Sequence, residues 1–290
     1  MSKSLRFTKM HSCGNDYIYF NCFNQHIDKP EELSVKLSHR LTGIGGDGIV
    51  MILPSQVADA RMRTFNCLDG SESDMCGNAI RCVAKYLYEN EIVTSHDMRI
   101  ETGSGVKKLA ITAHDSKVKA VRVDMGQAEL QPEMIPVDLS GETIIMRPVT
   151  IGGIVYKITC VSMGNPHAVV FVSGVGELGS VELDSIDLDT LGPLFEYNPL
   201  FPERVNIAFA QVVGRNQLRA RVWERGSGET KGSGTGACAT AVAAVLNGYG
   251  DKNTNINVEM PGGELVIEYT DSTVYMTGDC VHVFEGVVEV

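Results

Sequence analysis

The chain repeats itself. Met10-His-Ser-Cys-Gly-Asn15 followed by Tyr17-Ile-Tyr-Phe20 matches Met163-Gly-Asn165-Pro-His167 followed by Ala168-Val-Val-Phe171. Cys76-Gly-Asn-Ala79 opens one expected helix, and Ser233-Gly-Thr-Gly236 opens another. Ile100-Glu-Thr-Gly-Ser-Gly105, then Leu109-Ala-Ile111, is echoed by Val258-Glu-Met-Pro-Gly-Gly263, then Leu265-Val-Ile267. The offsets are 150, 157 and 158 residues, in the same order. One glycine-rich match could be chance. Three, each at the same kind of junction, point to two similar lobes facing each other. A pseudo-two-fold arrangement would bring both helix N-termini to one cleft. The lobes are expected at 1–127 and 128–277, with the strands of 278–290 returning to the first.

Local patterns place the elements. Residues 5–10, 17–20, 49–53 and 60–65 read as strands. Residues 30–41 read as a helix, with Pro30 in the first turn, Leu33, Leu37 and Leu41 on one face, and Gly43 as the stop. A second helix is expected over 78–90, where Ile80, Val83, Ala84 and Leu87 recur at helical spacing. Strand-like runs follow at 98–101, 107–112 and 118–125, and again at 154–162, 168–172, 205–213 and 218–223. Residues 236–246 form an almost wholly apolar helix, which requires enclosure by other elements. Strands over 256–270 and 274–277 follow.

Composition excludes several classes. Hydrophobic residues make up 43% of the 290 residues, enough for a full core. The net charge is −11 and there is no basic run, so a nucleic-acid partner is not expected. Residues 1–16 carry charges and no apolar stretch, so no signal peptide is expected. No apolar run approaches the ~20 residues of a membrane span. The expectation is a soluble cytoplasmic protein. The eight cysteines contain no CxxC pair and no histidine at zinc-finger spacing. Most are expected to be buried thiols, with no metal site.

Cys76 stands apart. At a helix N-terminus, backbone N–H groups without intrahelical partners and the positive end of the dipole favour an anion. Such a position lowers a thiol pKa from about 8.5 into the range of roughly 3.5–7.5. Gly77 and Asn78 would offer N–H groups to a carboxylate, and Gly234 and Thr235 would do so from the other lobe. An amino acid held this way has its α-carbon between positions 76 and 233. That suits removal of a proton from one face and return to the other. Gly43-Ile-Gly-Gly-Asp-Gly48 lacks the strand-to-helix context of a phosphate loop and reads as a turn. His39, His96 and His114 have no motif around them.

At this point the sequence resembles the diaminopimelate epimerase family. The residues that carry the resemblance are Lys9-Met-His-Ser-Cys-Gly-Asn-Asp-Tyr17, Asp69-Gly-Ser-Glu-Ser-Asp-Met-Cys76-Gly-Asn78, Met163-Gly-Asn165-Pro-His167 and Phe201-Pro-Glu-Arg-Val-Asn206. Trp223-Glu-Arg-Gly-Ser-Gly-Glu-Thr230 and Gly234-Thr-Gly-Ala-Cys238 complete the set. The resemblance implies an α+β fold of two pseudo-symmetric lobes, each a curved, mainly antiparallel sheet wrapped around a central helix. It implies a cofactor-independent isomerase that interconverts LL- and meso-2,6-diaminopimelate, on the route to lysine and peptidoglycan. A homodimer is the expected assembly, and the amino-acid substrate the expected small-molecule partner. Cys76 matches the first catalytic cysteine. His167 and Glu224 match the pair that helps set protonation of the catalytic groups. Asn15, Asn66, Asn165, Asn206, Glu224 and Arg225 match substrate-binding residues, with Arg225 placed for the distal carboxylate.

Three positions depart from the family pattern. Ser233 stands where the family has its second catalytic cysteine. Two residues, Cys67 and Leu68, separate Asn66 from Asp69 where the family has one, so either Asn66 or Cys67 fills the asparagine position. Phe284 stands near an interface tyrosine of the family. Serine keeps the capping ability of position 233 and loses the acidity of a thiol. Three readings of Ser233 are open: an engineered inactivating change, a natural serine activated by Glu224 or water, or a one-thiol relative with a different proton transfer. A protein that only binds the amino acid is the remaining alternative.

Overall fold

The computed structural model describes residues 4–172 and 182–290. It divides into two units, Met1–Asp124 with Thr277–Val290, and Met125–Met276. In the first, β1 (Ser4–Ser12) and β2 (Asn15–Asn21) form a hairpin closed by Cys13 and Gly14, both in the left-handed region at φ 51° and 73°. Helix α1 (Pro30–Ser38) crosses to β3 (Gly48–Leu53), which runs parallel to β2. Antiparallel β4 (Ala60–Asn66) and the short β5 (Glu72–Ser73) follow. Helix α2 (Gly77–Glu89) then crosses to β6 (Asp97–Thr102), parallel to β4. Strands β7 (Gly105–His114) and β8 (Lys117–Gly126) add antiparallel neighbours.

The second unit runs the same course. After β9 (Arg147–Ile151), β10 (Ile154–Ser162) and β11 (Pro166–Phe171) form the hairpin. Helix α3 (Leu188–Glu196) crosses to β12 (Asn206–Gly214), parallel to β11. Strands β13 (Gln217–Glu224) and β14 (Gly228–Thr230), helix α4 (Gly234–Leu246), β15 (Asn255–Met260) and β16 (Gly263–Tyr269) complete the repeat. Strand β17 (Val274–Gly278) follows, and β18 (Val281–Glu289) pairs antiparallel with β1. The helical crossovers make the sheet mixed, because a parallel partner can be reached only through a crossover.

The strands of each repeat pack around one helix. Helix α2 packs on β1, β2, β4 and β7, and α4 packs on β10 to β13, β15 and β16. Every residue from Gly236 to Ala244 is buried, as an all-apolar helix requires. Its many alanines keep the helix thin, so the sheet can close around it. Among the described residues, no helix is long and apolar enough to cross a membrane.

One expectation is corrected. Helix α1 ends at Ser38, and Leu41 is 91% exposed instead of sharing the buried face of Leu33 and Leu37. The chain folds back over the helix end, and Ile44 and Gly45 donate to the Leu37 carbonyl at 2.8 and 3.0 Å, ending the helix earlier than its apolar spacing implies. Helix α3 lies in a stretch where sequence patterns place no element, and it holds Gly192 and Pro193 within it. Gly192 is required there: a Cβ would lie 2.2 Å from the Trp223 ring, so only glycine lets α3 pack on β13.

Candidate active site

The proposed site residues fall at equivalent junctions of the two repeats. Asn15 and Asn165 lie at the turns of the two hairpins, and Asn66 and Glu224 end β4 and β13. Cys76 and Ser233 are the N-caps of α2 and α4. Within the first unit Asn15 meets Cys76, and within the second Asn165 meets Thr235, two residues after Ser233.

In the first unit Cys76 takes the extended N-cap backbone, but its side chain does not cap the helix. Its thiol instead donates to Asn15 Oδ1 at 3.5 Å. Asn78 Nδ2 donates to the same oxygen at 3.4 Å, and Asn78 Oδ1 accepts from Arg81 Nη2 at 2.8 Å. Arg81 is wholly buried and also donates to the Gly77 carbonyl and Ser12 Oγ. On the other side, Asn15 Nδ2 donates to Asp47 Oδ2 at 2.7 Å. Tyr17 is buried beside the sulfur; burial and the charge of a Cys76 thiolate push its phenol well above the usual range. It therefore stays protonated and serves as a donor to sulfur.

Asn66 remains the last residue of β4, paired opposite Gly48. The extra residue is taken up in the following turn, where Leu68 points to solvent and Gly70 sits at φ +72°. Asn66 Nδ2 donates to Ser71 Oγ at 2.8 Å, and the Cys67 amide donates to the Asp47 carbonyl at 3.2 Å. Burial, and secondarily Asp47, raise the Cys67 thiol pKa.

In the second unit Ser233 Oγ accepts the Gly236 N–H at 3.2 Å and is nearly inaccessible to solvent. Here the hydroxyl does cap the helix, which the thiol of Cys76 does not. His167 is fully enclosed; burial, and secondarily the charge of Arg225, bring its pKa down to about 3. It is therefore a neutral imidazole near pH 7. With the Asn165 carbonyl oxygen 3.0 Å from Nε2, the proton sits on Nε2 and donates to that oxygen. Asn165 Nδ2 is thereby turned to Thr235 Oγ1 at 3.3 Å. Asn206 Nδ2 donates to the Pro166 carbonyl at 2.7 Å, and its Oδ1 accepts the Arg225 N–H at 2.9 Å. Arg225 Nη1 donates to the Glu203 carbonyl at 2.7 Å, and Glu224 Oε1 accepts from Thr230 Oγ1 at 2.5 Å. Gly234 and Thr235 supply the first-turn N–H groups of α4.

Sequence reasoning missed Tyr17, Asp47 and Arg81 as neighbours of the thiol. Tyr17 lies inside the opening motif, and Asp47 inside the glycine-rich run read as a turn. Arg81 gave no signal, since an arginine on an amphipathic helix is ordinarily solvated. Among the described residues no group of three or more His, Cys, Asp or Glu side chains is arranged to hold a metal ion.

Comparison with known proteins places these motifs. Residues 7–131 and 159–283 match the family profile described as "Diaminopimelate epimerase". The diaminopimelate epimerase of Acetivibrio thermocellus is 50% identical over 287 residues, covering 98% of this chain and 99% of that protein. That of Methanococcus maripaludis is 46% identical over 289 residues, covering 99% and 100%. Among solved structures, a PhzF-family phenazine biosynthesis protein of Bacillus anthracis superposes with a TM-score of 0.69 at 16% identity, covering 99% of this chain and 100% of that one. A probable proline racemase of Agrobacterium radiobacter also gives 0.69 at 16%, covering 99% and 92%. At those identities the two structures show the shared fold alone.

Proposed function

Because the chain belongs to the diaminopimelate epimerase family, we infer that it interconverts LL- and meso-2,6-diaminopimelate in lysine biosynthesis. The reaction removes the proton at one α-carbon and returns a proton to the opposite face. The observation that carries this reading is Cys76: a thiol at a helix N-terminus, with Asn15 and Tyr17 turned to its sulfur. Thiol and thiolate are both accessible near neutral pH, so such a group can take or give a proton. First-turn N–H groups at Gly77 and Asn78, and at Gly234 and Thr235, suit the carboxylate beside the reacting carbon. Asn15, Asn66, Asn165, Asn206 and Glu224 are the proposed polar contacts to the rest of the substrate. Asn66 is preferred to Cys67 because it holds the strand-end position that Glu224 holds in the other repeat.

Inversion needs a second acid–base group on the opposite face, and Ser233 holds the matching position of the second repeat. His167 is proposed to act by orienting Asn165, its imidazole held neutral by burial and bonded through Nε2 to the Asn165 oxygen. No step calls for a cofactor. Incubation with LL-diaminopimelate in D2O tests the reading. Appearance of the meso isomer with deuterium at the inverted carbon supports it, and neither conversion nor label would sink it.

Arg225 is proposed to bind the distal carboxylate, its stem fixed by Asn206 and Glu203. Arg225→Ala is expected to weaken use of diaminopimelate by ~1.5–3 kcal/mol, the worth of a charged hydrogen bond. An amino acid lacking the second carboxylate should be affected much less, and equal losses in kcat/KM on both would contradict the assignment.

The proposed setting is a cytoplasmic homodimer. Val283, Phe284 and Val287 are partly exposed apolar side chains on β18, the strand that a second copy is proposed to cover. Light scattering should give twice the 31.5 kDa chain mass, and Phe284→Asp should shift it towards one chain. An unchanged dimer in that variant would move the interface elsewhere.

A further inference from the structure

We propose that Asp47 is a positioning residue for the reactive thiol. Its carboxylate fixes the Asn15 amide so that the carbonyl oxygen, and not the NH2 group, faces Cys76. The two faces of an asparagine amide are alike in shape, so something must choose between them. Here the choice is imposed from both ends. Arg81 can only donate, so the Asn78 atom facing it is the oxygen, and Asn78 turns its NH2 to Asn15. The Asp47 carboxylate can only accept, so the Asn15 atom facing it is the NH2. Both ends therefore leave Asn15 Oδ1 towards the Cys76 sulfur.

The Asp47 carboxylate is itself held. Its Oδ2 also accepts the Asp16 N–H at 3.1 Å, and its Oδ1 accepts from Arg40 Nη2 at 2.8 Å. Arg40 is bonded as well to Asp16, which pairs with Lys9 at 2.6 Å. The Asp47 amide donates to the Asp16 carbonyl at 2.7 Å. The flanking glycines give Asp47 this place. A Cβ at position 46 would lie 2.8 Å from Lys9 Nζ, and one at 48 would lie 2.0 Å from the Phe65 carbonyl oxygen. The glycine-rich run thus delivers a carboxylate to the back of Asn15.

An oxygen beside the sulfur hydrogen-bonds the thiol and opposes the thiolate, whereas an NH2 would favour the thiolate. The other titratable or charged groups around the thiol are Tyr17 and Tyr19 of β2 and Arg81 and Cys82 of α2, with Lys9 of β1 and Arg40 beyond Asp47. The thiolate midpoint of Cys76 is read from the pH dependence of iodoacetamide labelling of its peptide, by mass spectrometry. Asp47→Ala removes the shorter of the two restraints, leaving only the 3.4 Å bond from Asn78 to hold the amide against turning, and the midpoint should fall by about one pH unit. Loss of the carboxylate charge alone would also lower it, so the comparison is repeated with Asn15→Ala. The fall should shrink by half or more when Asn15 is absent. Equal falls in both backgrounds, or no fall, overturn the proposal. Should Asp47→Ala fail to fold, Asp47→Asn carries the same comparison with a smaller Asn15-dependent shift. The catalytic meaning rests on Cys76 being the base of the proposed epimerase. The labelling needs no turnover, so the failure of either idea is seen without the other.

Discussion

Cys76→Ala is expected to abolish both epimerisation and α-proton exchange, a loss of about 10²–10⁴-fold or more for a positioned acid–base group. The fold should survive. The Cys76 side chain does not cap α2, and the residue is only partly buried, so truncation removes little packing and no helix-capping bond. The thermal midpoint should therefore stay close to the parent while deuterium incorporation from D2O disappears. Binding should persist, because the backbone N–H groups at the start of α2 and the asparagine set remain. A variant that kept a tenth of the parent exchange rate would remove Cys76 from the role of base.

Ser233→Cys is expected to raise turnover by ~10²-fold or more. A serine hydroxyl donates a proton readily but seldom takes one from carbon, because its alkoxide is far harder to form than a thiolate. In this chain the oxygen is also engaged as the helix cap, accepting the Gly236 N–H. Forward and reverse rates are tied by the equilibrium constant, so the parent should be slow in both directions. The deficit should lie in kcat and not in KM, since Gly234 and Thr235 still present their N–H groups. The parent should still exchange the proton that faces Cys76, without inversion. The cysteine variant should lose a little stability, about 1 kcal/mol, because sulfur is a poorer cap than a hydroxyl. If the parent already works at full rate and the substitution gives no gain, Ser233 is an activated base or another residue holds the second role.

Much of the site was legible because its placement is local. An N-cap is defined by the few residues that follow it, so Cys76 and Ser233 could be placed at helix starts from sequence. The duplication located their relatives in each half, and the same hairpin-and-crossover course recurs around α2 and α4. Enclosure of α4 followed from its composition alone, since apolar side chains on every face must be covered.

What sequence could not supply depends on partners distant along the chain. Leu41 has the right spacing for a buried helical face, yet the chain turns back over Leu37 first and leaves it in solvent. Helix α3 carries a glycine at 192 because the Trp223 ring, thirty-one residues further on, takes the space of a Cβ. Proton positions are of the same kind. His167 is neutral because the second unit buries it, and the Asn15 amide points as it does because Asp47 and Arg81 bound it at either end. Periodicity and capping are properties of a segment and can be read from it. Desolvation and the choice of hydrogen-bond partner belong to the surroundings that tertiary packing assembles, and these set the chemistry of a thiol already located by sequence.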